Sequence, residues 1–323
     1  MNIPRVGVVI VSYNSARVLP GCLQSLRAQG PSVAVTTIVV DNGSRDGTRE
    51  LVRREFPDVR LVEAPRNGGF SYGTNLGLRA LGFLAPPIIG GLAGPSPQPG
   101  QPHYVLYLNP DTELPPGALD ALLRLMEARP GVGGLSPRLV RADGSLDRAC
   151  HRGFPTIWNA LCHVLGLDAR WPRRRLFGGY NLTYLPEDRS TPVDAVAAAF
   201  LLVRAAAVRQ VGAWDETFFA YGEDIDYCLR LRQVGWTIWY EASVRVLHLK
   251  GEASKQRSLP MLREFYRAMD VYYRKHQAAH HPPPLRLAIS GGIRALYAAA
   301  LLRQLARPTG QRWVGAARPV ARR

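Results

Sequence analysis

Tyr104-Val105-Leu106-Tyr107-Leu108-Asn109-Pro110-Asp111-Thr112-Glu113 is an apolar run that stops in an acidic turn. The run is too short for a helix, and Pro110 removes a backbone donor where the turn begins. Strands buried on both faces have this pattern, and such strands belong to parallel sheets. In an open α/β sheet, ligands sit beyond the carboxyl ends of the strands. A carboxylate at that point, with a second acid two residues on, can hold a divalent metal against a phosphate. Acid-rich turns are equally at home in plain solvated loops, so the stretch takes its meaning from its neighbours.

Upstream, strands and helices alternate. Val6 to Val11 reads as a strand, Arg17 to Gln29 as a helix, and Thr36 to Val40 as a β-branched strand ending in Asp41-Asn42-Gly43-Ser44. Asp46 to Phe56 reads as a helix capped by Ser44 or Asp46, Val59 to Glu63 as a strand, and Phe70 to Leu84 as a helix opened by Gly68-Gly69. That alternation predicts βαβ units, hence an α/β fold with a Rossmann-like, mostly parallel sheet flanked by helices. Residues 85–102, rich in proline and glycine, read as a flexible surface insertion. Downstream, Pro115-Pro116 start a helix to about Arg129, and Gly131 to Val140 is a strand. Residues 150–192 are irregular, rich in arginine and aromatics, and read as an excursion over the acceptor side. Val193 to Val203 is apolar, Glu223 to Gln233 helical, Trp236 to Leu249 extended and Leu259 to Lys275 helical.

Residues 1–254 are thus expected to form one catalytic domain, and 255–323 a C-terminal helical extension with a basic tail. Pro282-Pro283-Pro284 reads as a stiff joint before an apolar stretch, 285–307, interrupted by Arg286, Arg294 and Arg303. Its apolar segments read as too short to span a bilayer. A helix lying on the membrane surface and a helix docked on the globular body fit it equally.

The chain has 323 residues, 46% of them hydrophobic, and a net charge of +16. Such an excess suits anionic membranes or phosphorylated substrates; no nucleic-acid-binding module is recognisable. The four scattered cysteines, without a C-x-x-C pair, fit a reducing cytoplasm. Nothing at the N-terminus reads as a signal peptide.

Four turns follow apolar strands: Ser12-Tyr13-Asn14, Asp41-Asn42-Gly43-Ser44, Arg66-Asn67-Gly68-Gly69 and Asn109-Pro110-Asp111. In a parallel sheet all four share one edge. Together they offer acceptors for base and ribose, backbone amides for phosphate and a carboxylate for a metal. No G-x-G-x-x-G or G-x-x-x-x-G-K-[ST] loop is present, which weakens a dinucleotide oxidoreductase or an ATPase. In Phe218-Phe219-Ala220-Tyr221-Gly222-Glu223-Asp224-Ile225-Asp226, three carboxylates open a helix. The helix dipole explains one or two of them; a third leaves room for a general base. His248, at a strand end, precedes a basic loop with Lys250 and Lys255.

These motifs, in this order, resemble the inverting glycosyltransferases of family 2, GT-A type, in their bacterial rhamnosyltransferase-like branch. The resemblance spans Val6 to Ser254 and rests on V-V-I-V-S-Y-N (Val8 to Asn14), V-V-D-N-G-S (Val39 to Ser44), R-N-G-G-F-S-Y-G-T-N (Arg66 to Asn75), L-N-P-D (Leu108 to Asp111), F-F-A-Y-G-E-D-I-D (Phe218 to Asp226) and H-L-K-G (His248 to Gly251). It implies a nucleotide-diphosphate sugar donor. Asp41 would bind base or ribose, helped by Ser12, Tyr13, Asn14, Asn42, Gly43 and Ser44. Asn67, Gly68, Gly69, Asn75 and Asn109 would line the nucleotide and its phosphates. Asp111 and His248 would hold a divalent cation, Mg²⁺ or Mn²⁺. Asp224 would be the catalytic base, with Glu223 beside it. Asn109 stands where the family's D-x-D motif has its first acid, which leaves fewer charged ligands. The implied acceptor is a polyprenyl-diphosphate glycan or polysaccharide, at the inner face of the cell membrane. A non-catalytic nucleotide-sugar binder and a sugar nucleotidyltransferase are the alternatives.

Overall fold

In a computed structural model, residues 3–84, 100–249 and 258–306 are described. The first half contains β1 (Arg5–Ser12), α1 (Leu19–Arg27), β2 (Ala34–Asp41), α2 (Thr48–Glu55), β3 (Arg60–Glu63), α3 (Phe70–Ala80), β4 (Tyr104–Leu108), β5 (Thr112–Glu113), α4 (Ala118–Ala128) and β6 (Val132–Val140). The second contains α5 (Ile157–Val164), α6 (Leu167–Arg170), β7 (Thr191–Val193), β8 (Phe200–Arg204), α7 (Ala205–Val211), α8 (Glu223–Gln233), β9 (Thr237–His248), α9 (Ser258–His276) and α10 (Pro283–Leu305).

One sheet carries the order β3-β2-β1-β4-β8-β6-β9-β5, with β7 also paired to β9. Strands β1 to β4 are parallel, and their registers bring Ser12 opposite Asp41, Asp41 opposite Glu63, and Ile10 opposite Leu108. The turns after these strands therefore do share one edge. Every residue of β4 is buried, as its unbroken apolar run requires. Helix α3 lies directly on β1: a Cβ on Gly77 would stand 2.3 Å from Val9 Cγ1, and one on Gly73 2.6 Å from Val11 Cγ1.

The second half is mixed rather than parallel, because β8 runs antiparallel between β4 and β6. The apolar run expected from Val193 to Val203 divides into β7 and β8, with a buried loop of small residues, Ala195 to Ala199, between them. The Ala199 carbonyl accepts bonds from the Asn109 amide at 3.0 Å and the Thr112 hydroxyl at 3.2 Å. The loop thus fixes the acidic turn. The α2 cap also differs from expectation: Gly47 holds that position without a side-chain cap, while Asp46 accepts a bond from the Thr48 amide.

The expected extension begins inside the core. Ala268 and Tyr272 of α9 belong to the main hydrophobic cluster. Helix α10 is continuous through Gly291-Gly292. It has 23 residues, and an 18-residue window within it has a mean hydropathy of 1.4, so by length and composition it is long and apolar enough to cross a membrane, where the sequence expectation was of segments too short to span. The unbroken helix makes the difference, since its length of about 35 Å exceeds a hydrocarbon core of about 30 Å. One face meets α9 through Tyr266 and Tyr297, whose rings are 5.8 Å apart, and through a 2.9 Å bond from Ser290 to Asp270. Most of the other surface is exposed. The loop with Lys250 and Lys255, most of the 85–102 insertion and the basic tail lie outside the described residues.

Candidate active site

The turns after β1 and β2 are cross-braced. The Asn14 amide donates to Ser44 Oγ at 2.9 Å, and Asn14 Oδ1 accepts from the Arg45 amide at 2.8 Å. Asp41 Oδ2 accepts from the Ser44 and Gly43 amides at 3.1 and 3.3 Å, and Arg49 Nε lies 3.5 Å from the same oxygen. Its Oδ1, although buried, has no partner, and neither does the Ser12 hydroxyl. A desolvated acceptor without a donor is costly, so a ligand N–H or O–H would find a prepared place there. Tyr13 is half-buried at the end of β1. Asn42 joins the third turn: its amide donates to the Gly69 carbonyl at 3.0 Å and accepts from the Gly68 amide at 3.1 Å. Asn67 Oδ1 accepts from the Gly69 amide at 3.1 Å.

The acidic turn meets His248 through β5, whose Thr112 pairs with His248 of β9. His248 Nε2 lies 3.3 Å from Asp111 Oδ1 and 3.4 Å from Asn109 Nδ2. Its other nitrogen, Nδ1, is 2.9 Å from Asp147 Oδ2. Burial opposes the imidazolium, but the hydrogen bonds and charges of Asp111 and Asp147 outweigh it and push the His248 pKa up to about 9. Among the described residues there is no group of three His, Cys, Asp or Glu side chains arranged to hold a metal. Asp111 and His248 could serve an ion that takes most of its ligands from phosphate and water, provided that the ion displaces the proton from His248 Nε2.

At the start of α8 the three carboxylates have three different surroundings. Asp224 Oδ2 pairs with Arg152 Nη2 at 2.6 Å, and Oδ1 accepts from the Ile225 amide at 2.8 Å. Glu223 is deeply set, and its Oε2 has no partner. Burial, then the neighbouring Asp224 charge, pushes its pKa up to about 8, which favours its protonated form. Asp226 is turned away from this pair. It meets Arg230 Nε at 2.9 Å, Lys275 Nζ at 2.7 Å and His276 Nε2 at 2.8 Å, and so fastens α9 to α8.

Two contacts join this helix to the turn after β3 and to β4. The Phe70 amide donates to the Phe219 carbonyl at 2.8 Å. Trp214 stacks on Tyr227 at 4.3 Å, and Tyr107 of β4 meets both rings. Asn75 is buried and turned toward Trp214. Its amide gives one bond to the Trp214 carbonyl at 2.9 Å and one to Glu216 at 2.8 Å, and it accepts from the Trp214 amide at 2.8 Å. Both of its donors are thus used within the protein. Arg152 and Asp147 were invisible in the sequence: each stands alone in an irregular stretch, and no motif distinguishes that arginine from the others.

The family described as glycosyltransferase-like family 2 matches residues 4–267. The chain belongs to this family. It is a glycosyltransferase. An N-acetylglucosaminyl-diphospho-decaprenol L-rhamnosyltransferase of Mycobacterium tuberculosis is 30% identical over 286 residues, 88% of this chain and 89% of that protein. Rhamnosyltransferase WbbL of Escherichia coli is 27% identical over 154 residues, 47% of this chain and 54% of its own length. A mannosyltransferase of Pyrobaculum calidifontis, solved with GDP-mannose and Mn²⁺, has a TM-score of 0.54 and 18% identity, covering 96% of this chain and 77% of that one. The fold of this glycosyltransferase is GT-A.

Proposed function

We propose that this glycosyltransferase moves a rhamnose-type sugar, with inversion, from a nucleotide-diphosphate donor to a hydroxyl of a polyprenyl-diphosphate-linked glycan at the inner face of the cell membrane. The observation that carries the reading is the meeting of Asp111 and His248 at 3.3 Å on the same sheet edge as the unpartnered Asp41 oxygen. The likeness to the mycobacterial rhamnosyltransferase supports the choice of sugar and acceptor.

In this reading Asp41 takes a donor N–H or O–H from the nucleoside, and the Asn42-braced loop at Asn67 to Gly69 faces its phosphates. Asp224 removes the acceptor hydroxyl proton as that oxygen bonds to the anomeric carbon. The bond from that carbon to the diphosphate oxygen breaks, and the nucleoside diphosphate leaves. Arg152 is the positioning residue for Asp224, and burial favours the protonated form of Glu223 beside it. Asp111 and His248 would hold the Mg²⁺ or Mn²⁺, which supplies Lewis-acid stabilisation to the leaving diphosphate.

The test is incubation with polyprenyl-diphosphate N-acetylglucosamine and a panel of nucleotide-diphosphate sugars. Release of nucleoside diphosphate and an inverted linkage with a rhamnose donor is expected. Release of pyrophosphate, or transfer restricted to another sugar, would overturn the reading.

A further inference from the structure

The segment from α5 to Leu176 exposes apolar side chains that a folded surface ordinarily hides. Leu161 and Val164 of α5 and Leu165, which ends it in helical conformation, follow helical spacing on one face, and they are 44%, 46% and 61% exposed. Beside them stand Trp158 at 45%, Trp171 at 43% and Leu176 at 62%. Single exposed apolar residues are ordinary; a contiguous group on an ordered element marks a binding surface. This group is ordered. Thr156 caps α5 through the Asn159 amide at 3.1 Å, and Trp158 Nε1 donates to the Leu176 carbonyl at 2.7 Å. The Phe177 ring lies 6.4 Å from Trp158 and 5.2 Å from Trp171.

Arg170, Arg173, Arg174 and Arg175 border the patch, all exposed, and no carboxylate among the described residues pairs with them. We propose that this surface docks on an anionic lipid bilayer, its aliphatic face entering the acyl boundary, its tryptophans at the interface and its arginines on the headgroups. A bilayer offers both chemistries that the patch presents, an apolar interior beneath a negative surface. A second copy of this chain would instead set arginine against arginine, in a protein of net charge +16.

Position supports the same occupant. Gln277, just beyond α9, donates to the Pro155 carbonyl at 2.7 Å. The patch beginning at Ile157 and the exposed apolar helix beginning at Pro283 therefore leave from one corner of the molecule. Inward from that corner, Pro155 follows Arg152, the partner of Asp224. The arms of the excursion are tightly apposed there: a Cβ on Gly153 would stand 2.0 Å from the Gly179 carbonyl oxygen. The docking surface thus adjoins the base end of the site. This deepens the proposed function, and its consequence for a lipid-linked acceptor rests on that reading, whereas binding to the bilayer does not.

The test uses the full chain with phosphatidylcholine vesicles, with and without phosphatidylglycerol. Leu161→Gln combined with Leu165→Gln should weaken partitioning onto anionic vesicles roughly ten-fold or more, given the transfer free energy of two leucines. Arg173→Gln combined with Arg174→Gln should remove the anionic preference, roughly five-fold for each arginine. Because α10 can retain the chain on vesicles by itself, a second readout is needed. Lipids brominated on their acyl chains should quench wild-type tryptophan emission, and Trp158→Phe with Trp171→Phe should remove most of that quenching. Unchanged partitioning together with unchanged quenching overturns the proposal, as does a dimer in sedimentation that the leucine variant dissolves. Transfer to a short water-soluble acceptor should survive these substitutions while transfer to a vesicle-embedded acceptor falls. A wild-type chain that binds vesicles through the patch but transfers to neither acceptor breaks the functional reading alone.

Discussion

The nucleotide-side edge and the α8 side of the site are held together by different forces. Turns after β1, β2 and β3 are braced chiefly by neutral bonds, Asn14 to Ser44 and Asn42 to Gly68 and Gly69, with the Asp41 carboxylate on its own turn amides as the one charged brace among them. Around α8 the braces are buried or half-buried ion pairs, Arg152 with Asp224 and Asp226 with Arg230, Lys275 and His276. Neutral braces of this kind fix backbone amides toward a ligand with little dependence on pH. Buried ion pairs make position conditional on protonation and fail expensively when one partner is lost. The first region is a rigid receptor, the second a charged joint.

The largest expected effect falls on that joint. Asp224→Asn should lower kcat by about 10²–10⁴-fold, the usual contribution of a positioned base. Donor binding, followed by thermal shift, should stay near that of wild type, because the nucleotide-side turns are untouched. Near-normal turnover would dissolve the contrast by removing the base from α8.

Next comes Asp226. Its substitution by Asn leaves Arg230 and His276 without their carboxylate, while Lys275 retains Asp215 at 2.5 Å. A destabilisation of about 3 kcal/mol is expected, near the lower end for a broken buried pair. The pH dependence has a fixed sign. Burial alone would raise this carboxyl, but its bonds to His276 and Lys275 outweigh that and lower it to about 2. A depressed carboxyl stabilises the fold above its ordinary value near 4, and that stability is lost as pH falls toward 2. Wild-type thermal stability should drop across this interval by about 2 kcal/mol, and D226N should show a flatter profile. Equal acid sensitivity in both proteins would reject the joint as the origin.

Gly69 joins the two regions. Its φ of +91° suits glycine, and a Cβ there would stand 2.3 Å from the Phe219 carbonyl oxygen. Since both atoms belong to or are fixed by backbone, Gly69→Ala should cost about 1–3 kcal/mol. It should also raise the donor KM more than it lowers kcat, which steady-state kinetics would separate. An unperturbed KM would mean that the two regions are not coupled through this contact.

What was legible in the sequence follows the same division. The nucleotide-side motifs are local: each strand and its turn are contiguous, so hydrophobic period and turn chemistry reveal them together. The level registers of β1 to β4 made one edge out of four separate turns. The α8 boundaries and three first-turn acids were equally readable, but their division of labour was not. Arg152 lies far from Asp224 in the chain, as do Lys275 and His276 from Asp226, and no periodicity announces an ion pair between distant segments. Asp147 behind His248 was hidden for the same reason. The inward contacts of Asn75 with Trp214 were likewise not legible, since they cross 139 residues of chain. The run that holds β8 was legible only as apolar, and its antiparallel placement was not, since a buried apolar run carries no direction.

The smallest effect sharpens the comparison most. Glu223 and Asp224 are adjacent, yet burial favours the protonated form of one, whose Oε2 has no partner, and the other is held by Arg152. A carboxyl raised from 4.5 to about 8 weakens the fold progressively as pH rises through that interval, because the ionised form is the one burial disfavours. Glu223→Gln keeps the shape of the protonated acid and removes the titration. It should leave stability below pH 5 unchanged and raise Tm by about 2 °C for each kcal/mol recovered above pH 8. Turnover should remain within about ten-fold of wild type, since no proton is asked of Glu223 during transfer. If the Gln variant instead loses as much kcat as D224N, the base is Glu223, and Arg152 with Asp224 becomes the charge pair that tunes it.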